Sequence, residues 1–349
     1  MAKSSSSKSP KAGPSVFKST EQKNFEKELQ TLAAKAKEQT FSKWAVQQLW
    51  VLTQSATILT LAAIYSNVSQ LTLSPVYGSI PASIYHQKGV MTACFLGWSS
   101  NLYIRRLVPV KLAHLLPLIA AYIPMLQFFL FSHSGYFGGR WGPVIIEGLT
   151  FFPLLLLSVS CTATILDDLE LTDGRYPWVS DAMPGVSSFV FYKAMEYVSG
   201  NTIQRTIGST FFHTRLGLQI VLTGLYTLLA PSNLLLFTLP AVLHTGFFNT
   251  HVPSASMTTH LNTTMVTKSW ALLERKESLT GYISIVESPD KGFRVMRCDH
   301  SLLGGEWLPQ TTRTGRTEPI YGIFVMLEAV RLVKVENPVP DKEAKALVV

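Results

Sequence analysis

The chain has 349 residues, a formal net charge of +8, 47% hydrophobic residues and 15% charged residues, with a positive mean hydropathy. This lies on the apolar side of the ordinary soluble range, so a mainly α-helical, multi-pass membrane domain of about four to six helices is the expected class, with the lipid bilayer as its partner. Nine Lys against four Glu in residues 1–43 supply +5 of the charge, which points to a cytoplasmic-side tail and excludes nucleic acid as a partner.

Residues 1–43 read as a disordered basic tail, with its Ser4–Ser7 run and Pro10, Gly13 and Pro14, followed by a charged surface helix. The expected membrane domain covers 44–249. Residues 44–66 carry no charge and match the ~20 residues that a bilayer requires. A shorter segment at 89–104 ends in Arg105-Arg106, a return to the cytoplasmic side. Segments 113–132 and 143–166 follow, the first kinked by Pro117 and Pro124. Residues 189–198 read as an interfacial helix, and 216–230 and 234–248 as two short apolar segments divided by Pro231. This places both termini in the cytosol, on an endomembrane such as the endoplasmic reticulum.

Glu147 is the most costly residue of the apolar region, because a carboxylate there is normally paired or neutral. Its position near Pro143 and Arg140 favours a structural role over transport, although a small-molecule or ion transporter is kept as a second reading. His114 and His244 sit at segment ends, where a hydrogen-bonded imidazole is commoner than a ligand. Cys94, Cys161 and Cys298 are far apart and give neither a metal site nor a disulfide framework.

Residues 250–277, rich in Ser and Thr to Thr267, read as a linker to a soluble module at 278–335. There, Ile283, Ile285 and Val286 precede Ser288-Pro289-Asp290-Lys291-Gly292, and a second β pattern runs from Phe293 to Cys298. That is a β-hairpin. Asp299-His300-Ser301 cannot form a nucleophilic relay by adjacency, since neighbours in a strand point to opposite faces. The exposed β edge could hold a cytosolic protein partner, and a non-catalytic assembly protein is the third reading.

The order of this hairpin, "RVMRCDHSLLGGEW" and "EPIYGIFVMLEAVRLV" resembles the small β-rich entry module of the spermidine synthase family, in particular its fungal membrane-attached relatives. The resemblance covers about the last quarter of the chain. It implies transfer of an aminopropyl or methyl group from decarboxylated S-adenosylmethionine or S-adenosylmethionine, with Asp299, His300, Glu318 and Tyr321 on a pocket wall. Glu318 and Tyr321 occupy two places of a family pattern whose other two places are Ile323 and Leu327 here. Residues 336–349 then read as the first strand of a Rossmann-like domain, without the Gly-rich turn that would hold the nucleotide. The expectation is therefore a chain truncated before its cofactor domain, which binds no donor itself.

Overall fold

The computed structural model describes residues 20–167, 177–278, 281–299, 301–320, 334, 336–337, 339–340 and 342–343. They fall in two compact units, residues 1–53 and 54–349. In the first unit the described residues form the leading part of a long helix, with Phe41 and Trp44 in ring contact at 5.7 Å.

That helix, α1 (Thr20–Tyr77), is 58 residues long. It ends where Pro75 enters its last turn and Gly78 adopts φ 90°, a region that glycine reaches without a Cβ clash. In the second unit follow α2 (Ser79–Ile84), α3 (His86–Ser99), α4 (Asn101–Leu107), α5 (Leu115–Ser132), α6 (Ser134–Leu149), α7 (Phe151–Leu166), α8 (Pro177–Thr206), α9 (Arg215–Leu229), α10 (Leu239–Phe247) and α11 (Ala255–Val266). Tyr65, Leu116, Ile123, Phe151, Leu154, Tyr192, Leu222 and Tyr226 form the centre of its core, each under 2% exposed. Burying each such side chain contributes roughly 1.5–3 kcal/mol. The pairing of α3 with α7 depends on Gly97, where an added Cβ would lie 2.5 Å from the Leu156 carbonyl oxygen.

These helices correct the expectation of four to six membrane crossings. Among the described residues two helical stretches are long and apolar enough to cross a membrane, Phe41–Tyr77 and Leu112–Ser132, or three if the bent pair α6 and α7 counts as one. The segment at 89–104 breaks at Ser100 into α3 and α4, and that at 143–166 bends by 40° between α6 and α7. Helices of 16 residues or fewer fall short of the ~20 needed for a straight crossing.

The C-terminal part is a five-stranded antiparallel meander in the order β1 (Ala271–Ser278), β2 (Gly281–Ser288), β3 (Phe293–Cys298), β4 (Ser301–Trp307) and β5 (Glu318–Pro319). The strands expected around Ser288–Gly292 are β2 and β3, in register from Ile283 opposite Cys298 to Ser288 opposite Phe293. Leu272, Val286 and Val295 are direct neighbours across β1, β2 and β3, and they pack with Leu261 and Met265 of α11. Cross-strand apolar neighbours of this kind are the unit of sheet stability. The expected linker at 250–277 is thus corrected: it contains α11 and nearly all of β1, tied together where the Leu272 amide donates to Asn262 Oδ1 at 2.8 Å. Of the expected Rossmann-type strand at 336–349, residues 344–349 lie outside the described residues, as does the tail before residue 20.

Candidate functional site: two buried polar clusters

The first cluster grows from α1. Ser66, Ser69 and Thr72 recur every three residues and so share one helix face, all three buried. Ser69 Oγ donates to Glu147 Oε1 of α6 at 2.8 Å, and His86 Nδ1 of α3 lies 2.7 Å from the same oxygen. His86 Nε2 is 2.8 Å from Ser66 Oγ, whose single proton goes to Glu196 Oε1 of α8 at 2.7 Å. Lys193 pairs with the other Glu196 oxygen and donates to Gln87 Oε1 at 2.7 Å.

His86 thus bridges Ser66 and Glu147, one ring nitrogen on each, and joins α1, α3, α6 and α8 in one buried polar chain. Its ring stacks on Phe151 with centroids 5.7 Å apart. Ser66, His86 and Glu147 are in the order of an acyl-transfer relay, but Ser66 is fully buried and no acyl group reaches it in this arrangement.

The second cluster lines a cavity of about 250 Å³ between α1, α5, α9 and the strands. Arg215 enters it from the first turn of α9, whose preceding residue Thr214 caps the helix by accepting from the Gly217 amide at 3.1 Å. The Arg215 amide donates to Glu277 Oε2 at 3.1 Å, and its guanidinium stands 3.6 Å from Glu277 and 3.9 Å from Asp299. Asp299, at φ 50°, accepts from the Tyr282 amide at 2.7 Å and from Ser74 Oγ at 2.7 Å. Asp299 thus joins α1, α9 and β2 at one point.

On the opposite wall, Gln219 donates to Gln127 Oε1 at 2.7 Å and Gln127 donates to Thr72 Oγ1 at 3.3 Å. Asn249 Oδ1 accepts from the His251 amide at 3.0 Å. Burial pushes the Glu277 carboxyl up, against the pull of Arg215, and it pushes the His251 imidazole down, helped by Arg275. The Tyr282 phenol is likewise raised by burial, with Arg275 opposing.

Of the residues expected from the sequence, Asp299 lines this cavity and Glu147 belongs to the first cluster. Glu147 is 1% exposed, and its partners are Ser69 and His86 rather than Arg140. Glu318 lies on β5, accepts from Thr314 Oγ1 at 2.7 Å and lines a separate groove, so it does not join Asp299. His300 and Tyr321 lie outside the described residues. Sequence reasoning missed His86, Arg215, Gln127 and Gln219. The hydroxyl stripe Ser66, Ser69, Thr72 on an apolar helix was the available signal that polar partners face it.

No known family model matches the chain, and no solved structure matches it. One similar protein is the "N-terminal histidine N-methyltransferase" of Emericella nidulans (strain FGSC A4), 40% identical over 314 residues that make up 88% of this chain and 56% of that protein. The chain thus spans a little over half the length of the relative it matches. The likeness runs through the helical region as well as the sheet, so the expected pairing of a multi-pass membrane domain with a module confined to the last quarter is overturned. The likeness is to a methyltransferase and gives no support to a spermidine synthase, to polyamine chemistry or to a transporter.

Proposed function

We propose that this chain is part of an S-adenosylmethionine-dependent methyltransferase whose acceptor is the nitrogen of a histidine at a polypeptide N-terminus. The observation that carries this reading is the 40% identity maintained over 88% of the chain. Of the two transfers implied by the C-terminal resemblance, aminopropyl and methyl, it favours methyl.

The cavity beside Arg215 does not fit the nucleotide donor. Its volume of about 250 Å³ is below the roughly 300–1,000 Å³ of sites that enclose drug-sized ligands. No glycine lines it, whereas close backbone approach to a nucleotide relies on glycine. What the described residues supply is a fixed junction: Arg215 between Glu277 and Asp299 locks the sheet to α9, and Ser74 locks it to α1.

The test uses the protein in its own cells. A secreted reporter polypeptide beginning with histidine is expressed in cells that carry the gene and in cells from which it is deleted. The expected result is one added methyl group on the terminal histidine in the first strain alone. Equal methylation in both strains, or equal methylation of a reporter beginning with alanine, overturns the proposal.

A further inference from the structure

A second hollow, of about 670 Å³, shares no residue with the cavity beside Arg215. It lies where α4 passes through residues 108–111 into α5, and α1, α7 and α9 complete its walls. Val108, Ala113, Ile165 and Leu229 form its floor; they pack on the main apolar core and keep part of their surface exposed. The two stretches long and apolar enough to cross a membrane meet here, Phe41–Tyr77 through Ile58 and Leu112–Ser132 through its first residues. Arg105 and Lys111 stand in the same lining, both exposed. Among the described residues no carboxylate lines the hollow, and Asp167 alone pairs with either cation. That pair is 3.9 Å long and about half exposed on both sides, beyond hydrogen-bond reach, so it leaves the guanidinium donors of Arg105 to another ligand.

We propose that this hollow binds an anionic phospholipid, with one acyl chain on the apolar floor and the phosphate at Arg105 and Lys111. A basic pocket between apolar helices is the arrangement that holds anionic lipid headgroups. The volume lies within the roughly 300–1,000 Å³ of sites that enclose a ligand. A soluble sugar phosphate or nucleotide would lay its hydrogen-bonding groups against Ile165 and Leu229, where they find no partner. A zwitterionic lipid would bring a third cation to two that are already there. This site is independent of methyl transfer, and nothing in it requires the nucleotide donor.

The experiment is photocrosslinking of the purified 349-residue chain in micelles of a neutral detergent, with phosphatidic acid that carries a diazirine on one acyl chain as the probe. Mass spectrometry is expected to place the label on peptides that contain Val108, Ile165 or Leu229. Unlabelled phosphatidic acid is expected to displace the probe. A phosphatidylcholine probe with the same chains is expected to label these peptides at least tenfold less. Inorganic phosphate is expected to leave the labelling unchanged, which separates a lipid from a free phosphate. Arg105→Gln with Lys111→Gln is expected to lower labelling at least tenfold, since each basic residue is worth about 1 kcal/mol against an anionic lipid. Its melting curve should not move, because both side chains are exposed. Equal labelling by the two lipid probes, displacement by inorganic phosphate, or label confined to other peptides overturns the proposal without reliance on any variant.

Discussion

His86 Nδ1 lies 2.7 Å from Glu147 Oε1, and both side chains are 1% exposed, so this hydrogen bond is fully desolvated. Taking one partner away leaves a buried polar group unsatisfied, which costs more than the bond's net worth. Glu147→Gln, which changes what the position can accept from Ser69 and His86, is expected to destabilise the protein by about 1–3 kcal/mol. The joint change with His86→Asn is expected to cost less than the sum of the two single changes. Denaturant midpoints of the four proteins measure this; a cost below about 1 kcal/mol for Glu147→Gln would show that the buried cluster does not depend on the carboxylate.

Ser66 resembles a nucleophile in its partners and not in its access. A fluorophosphonate probe is expected to leave it unlabelled in the native protein, because no open path reaches a fully buried hydroxyl whose proton is held by Glu196. Ser66→Ala should cost about 1–3 kcal/mol, since it leaves His86 Nε2 and Glu196 Oε1 without this partner. Labelling at Ser66, mapped by mass spectrometry, would refute the structural role.

Glu277 sets a pH dependence. Burial raises its carboxyl above the usual glutamate range, with Asp299 adding to the rise, while Arg215 from α9 and Arg275 of its own strand oppose it; Tyr282 of β2 faces the same group. A raised folded-state value means that the folded protein holds the proton more tightly than the unfolded chain. Glu277 accordingly contributes stability that is fully present below its unfolded value and is lost as pH rises through the raised one. The stability of the unmodified protein minus that of Glu277→Gln, followed by denaturation from mildly acid to neutral pH, is expected to fall as pH rises. A difference that grows with pH would reverse the assignment.

Gly208 holds this arrangement in place. It sits at φ 78°, and an added Cβ would lie 2.1 Å from the Glu277 carbonyl oxygen, while its amide donates to the His213 carbonyl two residues before Arg215. Gly208→Ala combines a left-handed backbone with a steric clash, and is expected to cost about 1–3 kcal/mol or more. Hydrogen exchange should then quicken at the Arg215 and Gly217 amides, whose acceptors are Glu277 Oε2 and Thr214 Oγ1. Unchanged exchange there would separate Gly208 from the cavity.

The hairpin was legible because its signals are local: a Pro-Asp-Lys-Gly turn and β-branched neighbours fix β2 and β3 without help from the rest of the chain. Asp299 could be singled out for the same reason, standing where β3 ends. The partner of Glu147 could not, because His86 is 61 residues away in sequence and only packing brings it to α6. The helical region misled through composition. Apolar residues at 89–104 and 143–166 look like crossings when counted, yet the breaks at Ser100 and Thr150 depend on backbone torsions that hydropathy does not encode. The Ser- and Thr-rich stretch 255–266 looked like a linker because its residues favour non-helical hydrogen bonds, but Ser254 caps the helix by accepting from Met257 and Leu261 and Met265 give it an apolar stripe.

The meander order of the sheet also sets a sequence of events in folding. Each strand pairs with the one before it, so β1 to β4 can zip together over short loops, in the low contact-order regime where pairing is fast. The bond between Ser74 and Asp299 spans 225 residues, and the contact between Arg215 and Glu277 spans 62. Their loop-closure entropy is offset only once both partners are already shaped. The cavity is therefore a late product, assembled when a finished sheet docks on finished helices, and substitutions at Arg215 or Asp299 should quicken unfolding far more than they slow the formation of either part.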